Sequence, residues 1–317
     1  MIHMFDGKPF NGFNFAPFCG TGILSSEEAY DSLKVMAETT AANFVIFTPA
    51  ALQEETNSTE VRFNTARTCG DDELRGIVDY AHRLGLKVGI KPTLNVRSGM
   101  WRAFVDFFDT DVPGEPTWGE WFESYSAFQL HYAKIAHELG VEMFIAGCEM
   151  VMSERRELEW RRLIADIRQV FPDGLVTYNT DKYQEHIVKW WDCVDLISTS
   201  GYYPLHSWDT VLERLKEVCV KFDKPFLFAE IGCPSCSGSS EFPNKVFASH
   251  RYAPEEQLEW YEDMFAKTAE ADWICGYGIW SWHWNASSLR KNPNWSGYDV
   301  LGKPAEKVVR EYYEKFR

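Results

Sequence analysis

Two glutamates in this sequence each end a short apolar run. Glu149 ends the run EMFIAGCE at residues 142–149, and Glu230 ends PFLFAE at residues 225–230. Because an unpaired carboxylate is costly to bury, such a glutamate usually lies at the open end of a strand or is functional. Two carboxylates flanking one bond suit glycoside hydrolysis, in which one protonates the leaving oxygen and the other attacks carbon or activates water. We therefore predict a catalytic pair; two unrelated strand-end acids are the alternative.

The elements that would position this pair alternate along the chain. Continuous apolar runs predict eight strands that are buried on both faces and hence parallel. Helical periodicity with capping residues predicts a helix after each strand. This pattern over 317 residues favours an α/β fold, a single (β/α)₈ or TIM barrel covering residues 1–317, with an open doubly wound sheet as the alternative. The predicted strands are 12–18, 43–49, 86–92, 142–149, 175–179, 194–204, 225–230 and 273–282, and the predicted helices are 29–38, 71–85, 120–139, 156–171, 184–191, 208–222, 254–271 and 304–316.

In such a barrel the active site forms at the carboxyl ends of the strands. The polar and aromatic residues near those ends are therefore candidates for substrate binding. They are Asn14, Lys91, Asn95, Trp101, Asn179, Tyr202, Trp280 and His283. Three have structural alternatives: Asn179 as a turn former, His283 as a packed loop histidine and Trp101 as a loop-packing residue. Lys91 could instead be a Schiff-base nucleophile, as in barrel lyases and aldolases.

The order and spacing of several motifs resemble a known family. Glutamates ending the fourth and seventh strands are typical of clan A of the retaining glycoside hydrolases, and the chain resembles glycoside hydrolase family 113, whose known members are mainly β-mannanases. The resemblance implies that Glu149 is the acid/base and Glu230 the nucleophile. It also implies that Tyr202 hydrogen-bonds the nucleophile and that Trp280 is a sugar platform. The motifs are IKP (90–92), MWRAF (100–104), WFESY to FIAGCE (121–149), WRRLIADIR (160–168), TYNTD (177–181), WWDCVDLISTSGYYPL (190–205) and AEIGCPS (229–235).

The sequence departs from the expected pattern at three places. Cys148 stands where the wider clan usually has an asparagine that binds the sugar 2-hydroxyl, and a thiol is a weak donor and a poor acceptor. Thr93 follows Lys91-Pro92 where a histidine is expected, and Ser200-Gly201 replaces an acidic strand end. We expect Cys148 to lie in the substrate site, and these departures bear on which sugar is accepted more than on the reaction.

The chemistry assigns a protonation state to each glutamate. We expect Glu149 to carry a proton at rest, because an apolar surround and the charge on Glu230 disfavour its ionised form. Glu230 should be ionised and held by Tyr202 and by a cation such as Lys91 or an arginine. We predict net retention with carboxyl groups about 5–5.5 Å apart, whereas a separation beyond roughly 6.5 Å would favour inversion.

The composition disfavours several classes of binding partner. The net charge of −15 without a basic cluster disfavours nucleic acid and anionic membranes, and no apolar run is long enough for a membrane span. Eight scattered cysteines indicate reduced thiols, and the Cys233-Pro-Ser-Cys236 pair reads as two loop thiols rather than a redox or metal site. Residues 1–18 lack a signal-peptide pattern, so a cytoplasmic location is expected. We expect no metal or organic cofactor, and the oligomeric state stays open.

The expected substrate is β-1,4-linked mannan or manno-oligosaccharides, as the resemblance implies. Three alternatives stay open: a clan A enzyme for another β-linked gluco- or amino-sugar oligosaccharide, a lyase or aldolase using Lys91, and a non-catalytic carbohydrate-binding barrel. Borohydride trapping would label Lys91 only in the lyase case.

Overall fold

The computed structural model describes residues 8–245, 251–292 and 294–315. Within these ranges it contains ten strands and eight α-helices. The strands are β1 (Phe10–Phe15), β2 (Phe44–Phe47), β3 (Ala50–Gln53), β4 (Lys87–Ile90), β5 (Thr93–Val96), β6 (Met143–Cys148), β7 (Leu175–Asp181), β8 (Ile197–Ser200), β9 (Phe226–Ile231) and β10 (Ile274–Trp282). The helices are α1 (Glu27–Thr40), α2 (Asp71–Arg83), α3 (Trp118–Glu138), α4 (Glu157–Val170), α5 (Trp208–Phe222), α6 (Pro254–Thr268), α7 (Ala286–Lys291) and α8 (Pro304–Lys315).

Eight of the strands close into a barrel in the order β1-β2-β4-β6-β7-β8-β9-β10, and β10 pairs with β1 to complete the ring. All of these pairings are parallel. The predicted (β/α)₈ barrel is confirmed. The fourth and seventh barrel strands are β6 and β9, so the structure places Glu149 and Glu230 at the ends where they were predicted.

The barrel carries an addition that was not predicted. Strands β3 and β5 pair in parallel as a separate two-stranded sheet, starting just beyond the carboxyl ends of β2 and β4. Each follows a proline, Pro49 or Pro92, which interrupts the apolar run and separates the short strand from its barrel strand. This sheet extends the fold above the β2–β4 side of the barrel mouth.

One predicted helix is wrong. Residues 182–196, all of them described, contain turns and a short 3₁₀ helix at Trp191–Cys193 instead of an α-helix at 184–191. Buried tryptophans hold this segment through their indole N–H groups: Trp190 donates to the backbone oxygen of Glu154 (3.1 Å) and Trp191 to that of Glu185 (2.8 Å). The unpredicted α7 lies instead in the connection after β10.

The core has two layers, as the two-sided burial of the strands requires. Side chains such as Phe44, Ile145 and Leu227 form one apolar cluster, and a second, larger cluster lies between the strands and the helices. No helix in the described part of the chain is long and apolar enough to cross a membrane.

Candidate active site

A bulge at the end of β6 sets the position of Glu149. The pairing of β6 with β7 advances from Ile145 to Cys148 on β6 while β7 advances by only two residues, so β6 contains one extra residue. Gly147 adopts φ +99°, and a Cβ there would lie 2.6 Å from the Tyr125 hydroxyl. Glu149 itself has φ +53°, which is rare for a non-glycine residue and frequent at functional sites. Its backbone N–H remains tied to β7 through the Asn179 carbonyl, at 2.7 Å.

The Glu149 carboxylate binds two residues from the loop that follows β5. The Trp101 indole N–H donates to its Oε2 at 2.9 Å, and the Arg102 guanidinium donates to the same oxygen at 3.1 Å. Arg102 is fixed in turn by the Leu94 carbonyl (2.6 Å) and by Asn95 Oδ1 (2.9 Å). Asn95 therefore contacts Arg102, and Arg102 in turn contacts Glu149. A contact between Asn95 and the substrate stays a prediction.

The Glu230 carboxylate is held from three other barrel strands. The Lys91 ammonium donates to its Oε1, the Cys148 thiol donates to the same oxygen at 3.2 Å, and the Tyr202 hydroxyl donates to Oε2 at 2.8 Å. Burial alone would raise the pKa of Glu230, but the Lys91 charge and hydrogen bond, with help from Arg102 and Tyr202, outweigh burial and lower that pKa. Glu230 is thus an ionised carboxylate in a site that leaves it 4% exposed.

The two glutamates meet in one cavity of about 340 Å³ at the barrel mouth. One oxygen of Glu149 and one of Glu230 lie within 4.8 Å of each other and of the Cys148 sulfur. Five predicted site residues line this cavity: Trp101, Glu149, Tyr202, Glu230 and Trp280. Trp280 contributes an aromatic wall, and the Lys91 ammonium lies 5.3 Å from its ring centroid.

Other predicted residues lie beside or beneath the cavity. Asn14 is buried and donates to the carbonyls of Ala229 and Gly278, both at 2.9 Å. Asn179 is also buried and donates to Ser200 Oγ at 2.9 Å and to Cys148 Sγ at 3.4 Å. His283 receives the Asn285 backbone N–H on its Nδ1 at 3.0 Å. The structure thus gives all three a protein partner, and their contacts with substrate stay predictions.

Six cavity-lining residues were not among the predicted site residues. Asp181 and Lys182 follow Asn179 at the end of β7, and the alternation of a strand could have indicated Asp181, because it shares a strand face with Asn179. The others come from loops whose paths no local pattern specifies. The six are Phe18, Arg102, Asp181, Lys182, Asn244 and Tyr298.

Asp181 is the most unusual of these additions. Burial raises its pKa to about 7, the negative charge of Glu149 adds to the rise, and Lys182 opposes it. The Lys182 ammonium lies 3.8 Å from the Asp181 carboxylate. The side of the cavity next to Glu149 therefore holds a second acid.

Cys148, Glu149 and Glu230 have the donor types and spacing of a metal site. Two cations, Lys91 and Arg102, already contact these carboxylates, and a metal ion would have to compete with both charges. In the nearby loop, Cys233 and Cys236 are buried, and Cys233 donates to Ser239 Oγ at 3.3 Å.

Comparison with known proteins decides the family. The model of Glycoside Hydrolase Family 113 matches residues 13–303. The chain belongs to glycoside hydrolase family 113. It is therefore a glycosyl hydrolase, and the predicted resemblance is confirmed. A search of curated proteins found no match.

Solved structures agree with membership of family 113. A "GH113 beta-1,4-mannanase", solved as a complex, is 50% identical, covers 97% of this chain and 99% of its own, and gives a TM-score of 0.94. The GH113 β-mannanase AaManA from Alicyclobacillus acidocaldarius, in complex with ManMIm, is 37% identical with 98% of both chains covered and the same TM-score. A β-glucuronidase from an uncultured Clostridium sp., at 15% identity, 97% and 50% coverage and a TM-score of 0.63, shares the fold.

Proposed function

We propose that this family 113 hydrolase cleaves β-1,4-linked mannan or manno-oligosaccharides with net retention, using Glu149 as acid/base and Glu230 as nucleophile. The observation that carries the proposal is that one oxygen of Glu149 and one of Glu230 lie within 4.8 Å of each other in one cavity, while the two carboxylates have different partners. A retaining mechanism requires carboxyl groups about 5–5.5 Å apart, whereas an inverting one needs roughly 6.5–9.5 Å to fit a water molecule.

The environment of Glu230 suits a nucleophile. A carboxylate attacks the anomeric carbon only when ionised, and the lowered pKa of Glu230 keeps it so. Burial raises the pKa of Tyr202 well above its ordinary value, so this side chain stays a hydroxyl that donates to Glu230. Lys91 and Tyr202 together hold both carboxylate oxygens in a fixed direction.

In the proposed mechanism Glu149 transfers a proton in each of two steps. In the first step Glu149 gives its proton to the glycosidic oxygen, the bond from that oxygen to the anomeric carbon breaks, and Glu230 forms a bond to the carbon. In the second step Glu149 takes a proton from water, whose oxygen displaces Glu230. Arg102 and the Trp101 indole N–H stabilise the Glu149 carboxylate that exists between the steps.

The proposed sugar rests on the relatives and on the cavity wall. The 50%-identical structure is named a β-1,4-mannanase, and Trp280 offers the flat apolar surface on which a sugar ring packs. A β-linked gluco- or amino-sugar oligosaccharide is the second candidate. Cys148 favours this second candidate. Its thiol donates to Glu230 at 3.2 Å, and a thiol forms weaker hydrogen bonds to a sugar 2-hydroxyl than the amide of an asparagine would.

The structure provides an argument against the lyase alternative. A Schiff-base nucleophile requires a free neutral amine, whereas the fully buried Lys91 ammonium is paired with Glu230. Cytoplasmic hydrolysis of oligosaccharides is also part of the proposal, and the eight cysteines, scattered along the chain without the pattern of a disulfide framework, support a reducing compartment.

The test is the stereochemistry of the first product. Manno-, gluco- and xylo-oligosaccharides are incubated with the enzyme and with Glu230→Gln, and NMR follows the anomeric protons before mutarotation. We expect the β anomer to form first, fastest from the manno series, and no hydrolysis by Glu230→Gln. First appearance of the α anomer, or undiminished activity in Glu230→Gln, would overturn the mechanism.

A further inference from the structure

The cavity has two unlike sides around the scissile position. Tyr202 contacts both Glu230 and Tyr298, whereas Asp181 and Lys182 lie at the end of β7, the strand that pairs with β6 and so adjoins Glu149. β7 pairs directly with β6, and the Glu149 N–H binds the Asn179 carbonyl, so Asp181 lies two residues beyond the residue that anchors Glu149. Asp181 is therefore placed on the acid/base side.

The Asp181 carboxylate has few protein partners for an acid at this depth, and one of them is a backbone hydrogen bond from Lys182. Its side chain is 13% exposed, and among the described side chains its ionic partner is Lys182, itself 17% exposed, at 3.8 Å. Glu185, four residues on, shows the contrast: it accepts hydrogen bonds from the hydroxyls of Tyr203 and Thr199 and lies outside the cavity lining. Asp181 and Lys182 thus keep hydrogen-bonding capacity toward the cavity.

The acid/base side is the side of the departing sugar. An acid/base residue protonates the glycosidic oxygen, so the sugar attached through that oxygen must lie next to it. A carboxylate accepts from sugar hydroxyls and an ammonium donates to them, so an acid–lysine pair can bind two neighbouring hydroxyl groups.

We propose that Asp181 and Lys182 bind the hydroxyl groups of the sugar unit in the leaving-group position, and so select oligosaccharide over other leaving groups. This inference rests on the proposed function. The same pair holds the acceptor when the glycosyl-enzyme transfers its sugar to another sugar instead of water, because transfer is the reverse of the first step.

The experiment compares two substrates with the same donor sugar. One is a β-linked manno-oligosaccharide and the other is the nitrophenyl β-glycoside, which has no sugar hydroxyls in the leaving group. Asp181→Asn and Lys182→Met are each expected to lower kcat/KM for the oligosaccharide by about 10- to 100-fold, the value of a hydrogen bond to a charged group. Both variants should lose much less on the nitrophenyl glycoside than on the oligosaccharide, and their remaining activity on it also shows that they are folded. Asp173→Asn, at an 84%-exposed side chain, is the matched control and should change neither value.

A second measurement uses the nitrophenyl donor with a free mannose acceptor. Both variants should give a lower ratio of transfer to hydrolysis than the wild type. Equal losses on both substrates, with a displaced pH profile, would show that Asp181 acts through Glu149 and would overturn the inference, as would unchanged rates on both. The proposed function fails separately, if the wild type hydrolyses neither substrate or if Glu230→Gln remains active.

Discussion

The ends of β6 and β9 carry the same residue type but hold it in different ways. Glu230 is fixed by residues on or directly after barrel strands, with Lys91 after β4, Cys148 on β6 and Tyr202 after β8. The partners of Glu149, Trp101 and Arg102, come from a loop. A nucleophile requires one fixed direction, whereas an acid/base must exchange protons with substrate and water. The partners, rather than the glutamates, thus distinguish the two proposed roles.

The largest predicted losses of activity come from substituting the two glutamates. The two losses should depend differently on the leaving group of the substrate. We expect Glu230→Gln to lower kcat by at least about 10⁴-fold on every substrate, because the covalent step is lost. Glu149→Gln should lower kcat/KM by about 10²–10⁴-fold on oligosaccharides and far less on dinitrophenyl glycosides, whose leaving group needs no proton. Steady-state kinetics on both substrates, with added azide to replace water in the second step, measure the difference. Identical losses in the two variants would remove the proposed division of roles.

Lys91→Met tests how strongly β4 holds Glu230. Removing the ammonium leaves burial as the main influence, so the pKa of Glu230 should rise and the acidic limb of the pH–activity profile should move to higher pH. Breaking a buried ion pair should also lower the free energy of unfolding by about 3–5 kcal/mol at neutral pH.

The pH dependence of this stability loss has a defined sign. In the wild type, the lowered pKa of Glu230 contributes stability above its unfolded value of about 4.3, and this contribution is lost as the pH falls through the folded pKa. The difference between wild type and Lys91→Met should therefore shrink below about pH 4. Urea unfolding at pH 7 and at about pH 3 measures it, and a difference that grows toward low pH would contradict the pairing.

Tyr202→Phe should have an intermediate effect. It removes the 2.8 Å hydrogen bond to Glu230 Oε2 and keeps the ring, which packs 6.0 Å from Tyr298 between centroids. We expect kcat/KM to fall about 10- to 100-fold, as for one hydrogen bond to a charged group, with a smaller rise in the pKa of Glu230 than in Lys91→Met. The matched control is Tyr203→Phe, whose hydroxyl binds Glu185 outside the cavity and should affect stability more than rate.

Trp101→Phe should have the smallest effect. It removes the indole N–H bond to Glu149 Oε2, while Arg102 continues to donate to that oxygen. We expect a loss of less than about tenfold, confined to substrates with poor leaving groups. Brønsted plots against leaving-group pKa measure it; a uniform loss with all leaving groups would show that Trp101 acts on Glu230 or on the sugar instead.

The barrel could be predicted because the patterns that indicate its strands lie within short stretches of sequence. Buried parallel strands read as continuous apolar runs, and the acids that end two of them are visible in the sequence, so Glu149 and Glu230 needed no tertiary knowledge. The predicted strand at 175–179 stopped two residues short of the end of β7, and Asp181 was thereby missed as a site residue.

The remaining parts of the site depend on long-range packing. Asn244 and Tyr298 reach the cavity from long connections without periodicity, and Arg102 acquires its role from a contact with Glu149 that is 47 residues distant in sequence. The wrong helix at 184–191 has a related cause, because the Trp190 indole N–H binds the carbonyl of Glu154, which is 36 residues distant in sequence.

The two-stranded sheet of β3 and β5 has a consequence for thermal inactivation. Its residues Leu94 and Asn95 hold Arg102, yet each strand has four residues and the pair forms no part of the barrel ring. Two-stranded sheets are marginal alone, and this one is held by packing against the apolar core instead of by the hydrogen bonds of the ring, so we expect it to open at a lower free energy than the barrel. On heating, the position of Arg102, and with it the hydrogen bond to Glu149, should therefore be lost before the barrel unfolds. The enzyme should then lose activity at a temperature at which its circular dichroism still reports a folded protein.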